Sequence, residues 1–154
     1  MRERMMHMGD PGFEFYRRLH RDVTIWLDSE GRDFPHAPLV ALVPDMFQTI
    51  SSLCLDEALS RAERAKVLGA VIYFVAPVDF LPERLAGGAG YLDDVALAAY
   101  VLKAVATTRG PDFVARYWIG DGELMPLLDE ILGSVEAIIG AELWRKITAT
   151  ADSW

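Results

Sequence analysis

The chain has 154 residues, enough for one domain with a sizeable core. Its 52% hydrophobic and 25% charged residues exclude intrinsic disorder for the bulk of the chain. A formal net charge of −8 argues against an unspecific grip on nucleic acid, which needs a Lys/Arg surplus facing phosphate.

Residues Met1–Pro11 read as a frayed tail, and 12–154 as a single helical domain. The tail begins MRERMMHMGD, with basic residues but no apolar stretch behind them, so it is not a secretory signal. From Gly12 to Ser29 the apolar residues Tyr16, Leu19, Val23, Trp26 and Leu27 form one stripe of a 3.6-residue period, which predicts a helix that stops near Gly31. Phe34–Pro38 is a turn, because each proline pushes its predecessor out of the helical region.

Leu39–Asp56 predicts a second helical region interrupted by Pro44, with Asp45 as the cap of its longer part. Met46, Phe47, Ile50, Leu53 and Cys54 form its apolar face. Cys54 is the single cysteine, so no intrachain disulfide and no Cys-based zinc site can form. Between Leu53 and Leu55 it reads as a small core residue rather than a nucleophile. Ser60-Arg61-Ala62-Glu63 is a capping box and starts the next helix, which Pro77 ends near Val75. From Val67 onward that helix is apolar on every side, which predicts that it is surrounded.

Pro77–Leu92 reads as a loop region containing Gly87, Gly88 and Gly90. Asp93 or Asp94 starts a strongly apolar helix to about Thr108. A short helix from Pro111 to Trp118, a long one from Leu124 to Ile139 ended by Gly140, and a final one over Glu142–Thr150 complete the chain. The expectation is an all-α, single-domain bundle of six or seven helices around a central antiparallel hairpin. Mean hydropathy is +0.17, yet the longest uncharged run, Val67–Val78, has twelve residues. A spanning helix needs ~20. The expected location is cytoplasmic, with membrane association as the alternative.

The acids around the central turn are the candidate site. A short connection makes the flanking helices antiparallel, so Asp79, Glu83, Asp93 and Asp94 fall at one end of the pair. Capping accounts for one of two consecutive acids, since successive helical side chains point ~100° apart. The second risks burial on so apolar a helix and then needs a donor or cation. Arg84, the hydroxyl of Tyr73 or Tyr91, or a hard Mg²⁺- or Ca²⁺-type ion would serve. No phosphate loop, nucleophile elbow or zinc-protease helix is present in the sequence. His7, His20 and His36 lie outside the central turn and read as surface or linker residues.

Tyr73, Pro77, Asp79 and Pro82, followed by Gly90, Asp93 and Asp94, make a pattern of tyrosine, P-x-D-x-x-P, a short loop and G-x-x-D-D. In this the stretch 65–104 resembles the YkvA-like family, a short bacterial helical domain of unknown function. Glu83 follows the second proline where the family commonly has Asp. The resemblance implies a small helical module with no established activity and with membrane association among its relatives. It carries over Asp79, Asp93 and Asp94 as motif acids, with Glu83 a weaker candidate, and supplies no catalytic residue. The expected function is a non-catalytic module that binds a protein partner or a membrane surface, its acids ordering the central turn. The alternative is a divalent-metal-binding protein or metal-dependent hydrolase using the same aspartates.

Overall fold

The computed structural model describes residues 11–75 and 91–154. All regular structure among them is helical: α1 (Pro11–Asp28), α2 (Ala37–Val40), α3 (Val43–Cys54), α4 (Arg61–Val75), α5 (Tyr91–Arg109), α6 (Pro111–Ala115), α7 (Leu124–Ile139) and α8 (Ala141–Asp152). The expected all-α bundle is what the chain forms, with the single turn α2 as an additional short piece. Residues 1–10 and 76–90 lie outside the described residues, and with them Pro77, Asp79, Pro82, Glu83 and Gly90.

Helix α5 is the axis of the bundle. It packs against α2, α3, α4, α6, α7 and α8. Eleven of its residues are buried, among them Val95, Leu97, Ala98, Val101 and Leu102. Its alanines let neighbours approach on several sides at once. Helix α1 lies on α3, with Phe15 against Phe47 at 4.7 Å between ring centroids, and Phe47 in turn meets Phe74 of α4 at 5.4 Å. Gly140 adopts φ +95°, a region open mainly to glycine, and this breaks the chain between α7 and α8. Trp154 then folds onto Gly69, where an added Cβ would come within 2.4 Å of the indole, so α8 is seated on α4.

Three local expectations change. Helix α3 starts at Val43 with Leu42 as its cap residue, so Asp45 lies inside the first turn and is not the cap. Pro44 is accommodated there because the first turn asks for no amide donor. Helix α5 begins by Tyr91, which puts Asp93 and Asp94 in its first turn rather than at its cap position.

The third change bears on function. Helix α4 is not surrounded. It touches α3, α5 and α8, burying Val67, Ala70 and Phe74, while Leu68, Ile72 and Val75 are 44%, 52% and 48% exposed. Apolar residues on every side mean full burial only when neighbours exist on every side, and among the described residues one face of α4 has none.

Candidate functional site

Helices α4 and α5 run antiparallel and are tied at both ends. At the end nearer the motif, the Tyr73 hydroxyl of α4 donates to Asp93 Oδ2 of α5 at 2.7 Å. Asp93 is fully buried, beside Leu92 and Val95. A carboxyl group inside a core needs donors, and a tyrosine supplies one without adding charge. Asp94, next in the chain, is only partly buried. The structure therefore brings Tyr73 and Asp93 together, whereas Asp79 and Glu83 lie outside the described residues.

At the opposite end, the capping box forms as its spacing predicts. The Ser60 amide donates to Glu63 Oε1 at 2.7 Å, and the Glu63 amide to Ser60 Oγ at 3.1 Å. The same carboxylate receives a two-pronged bond from Arg109 at the end of α5, Nε to Oε2 at 2.8 Å and Nη2 to Oε1 at 2.7 Å. The Arg109 hydrogen bonds hold the Glu63 carboxyl at about 2, against burial, which opposes ionisation. A value below the ordinary 4.5 means that this stabilisation is complete above pH 4.5 and disappears as the pH falls toward 2. Acid unfolding followed by circular dichroism is expected to show stability declining across that window. Glu63→Gln should make the decline shallower; an unchanged acid profile would contradict the assignment.

Beside this clasp lies a second buried acid that the sequence does not advertise. Asp56, in the turn after α3, is completely buried. Its Oδ2 accepts from the Tyr117 hydroxyl at 2.7 Å and from the Arg116 guanidinium, and its Oδ1 accepts the Ala58 amide at 2.8 Å. Burial raises the Asp56 pKa, but the bonds from Tyr117, Ala58 and Arg116 together outweigh it and hold the group below its ordinary value. Burial, reinforced by the bond to Asp56, pushes the Tyr117 hydroxyl up to about 12. Arg64 closes the knot by donating to the carbonyls of Cys54 and Asp56. Cys54 itself is half-buried against the core, and burial raises its thiol pKa, which keeps it protonated rather than nucleophilic.

A further acid, Asp45, meets Tyr16 and His20 of α1. Burial raises its pKa, with His20 and the Tyr16 bond working against that rise.

Chemically, these arrangements are ties. Among the described residues no group of three His, Cys, Asp or Glu side chains could hold a metal ion. A shallow crevice between α2, α5 and α7 is lined by Leu39, Leu92, Val95, Ala96, Ile131, Val135, Ile138 and Ile139. That lining is apolar throughout, so it presents no group to orient or activate a polar substrate.

The fold and its ties define a small helical module built on a clasped antiparallel hairpin. A model for a family described as "Protein of unknown function (DUF1232)" matches residues 63–100, which run from the Glu63 clasp to beyond Asp93. An uncharacterized protein, ORF9, from Methanothermobacter thermautotrophicus is 30% identical over 103 residues, covering 67% of this chain and 70% of that protein. The chain belongs to the DUF1232 family, the YkvA-like family that its central residues resemble. No solved structure matches it.

Among the described residues one stretch, Ala37–Cys54, is long and apolar enough to cross a membrane by length and composition. Half of it is buried in the fold, and a turn at Ala41–Leu42 divides it into α2 and α3. Both features fit a core segment, since a turn in mid-bilayer would leave backbone groups without partners.

Proposed function

We propose that the protein is a non-catalytic interaction module of the cytoplasm. Its clasped hairpin presents the outer face of α4 to a protein partner. The supporting observation is the row Leu68, Ile72 and Val75, three large apolar side chains at four- and three-residue spacing, each close to half exposed. Scattered apolar residues are ordinary on a surface, but a row along one helix face is the pattern of a helix that docks. Burying such a row would remove apolar surface from water at about 25 cal/mol per Å². The buried acids serve this function indirectly. Tyr73–Asp93 and Glu63–Arg109 fix α4 against α5, so its outer face is held ready rather than ordered on binding.

Photo-crosslinking in cells tests this. A photoreactive phenylalanine analogue at Ile72 is expected to give covalent protein adducts, whereas the same probe at Glu130 on the exposed side of α7 should give none. Absence of adducts at Ile72 would refute the docking face. Recovery of the unmodified chain in the membrane fraction would instead select a membrane surface as its target.

A further inference from the structure

We draw no further inference here: the strongest candidate, the apolar surface patch of Leu68, Ile72 and Val75 on the outer face of α4, belongs to the docking face already described, and nothing in the structure shows what covers it.

Discussion

Replacing Asp56 with alanine is expected to lower the stability of the chain by about 3 kcal/mol, since the bonds it removes reach a group with no access to water. Asp56 joins three segments: its own turn after α3, the Ala58 amide, and the Arg116–Tyr117 pair after α6. Tyr117 is itself buried, 2% exposed, so removing the acceptor strands its hydroxyl in the core. The Arg116 side chain is 38% exposed and keeps contact with water, which holds the cost at the low end for a broken buried ion pair. In a chain of this size the melting temperature should fall by about 6–12 °C. Asp56→Asn, which keeps an acceptor of the same shape, should cost less, and Tyr117→Phe about 1 kcal/mol. Urea unfolding of the three variants gives the order directly. A loss below 1 kcal/mol for Asp56→Ala would show that the knot does not hold these segments together.

The second large effect is expected at the other end of the hairpin. Tyr73→Phe removes the donor that reaches Asp93 Oδ2 and should cost about 1–3 kcal/mol, the range for a bond to a buried carboxyl group. Asp93→Ala should cost about 3 kcal/mol, because it also opens space in a packed layer beside Leu92 and Val95.

The sequence exposes local rules well and encounters between distant residues poorly. The stripe of α1, the bounds of α7 and the capping box at Ser60 follow from spacing within a few residues, and the structure reproduces each. Glycine at 140 marks a helix stop by its backbone alone. The need for a donor near the motif acids is legible, because an over-apolar helix with two consecutive acids demands one, but the spacing leaves Arg84, Tyr73, Tyr91 and a cation as alternatives, and the fold selects Tyr73 for Asp93. The knot at Asp56 is not legible, since Arg116 and Tyr117 are sixty residues further on and no periodicity links them to that turn. Its only local sign is an acid in the turn that ends a strongly apolar helix. The exposure of α4 is hidden for a different reason. Apolar composition on every side reports what a helix would tolerate, and only the packing of α3, α5 and α8 decides which faces are covered.

That the hairpin is held by its own side chains, with the acid of α5 bonded to the tyrosine of α4, is measured most directly by a double-mutant cycle. Tyr73→Phe, Asp93→Asn and the double variant would be unfolded in urea in buffer containing a chelator. A coupling energy of about 1–3 kcal/mol, unchanged when Mg²⁺ or Ca²⁺ is added, is the expected result. Independent effects that simply add, or a coupling that appears only with the ion present, would contradict it and assign Asp93 to a cation instead.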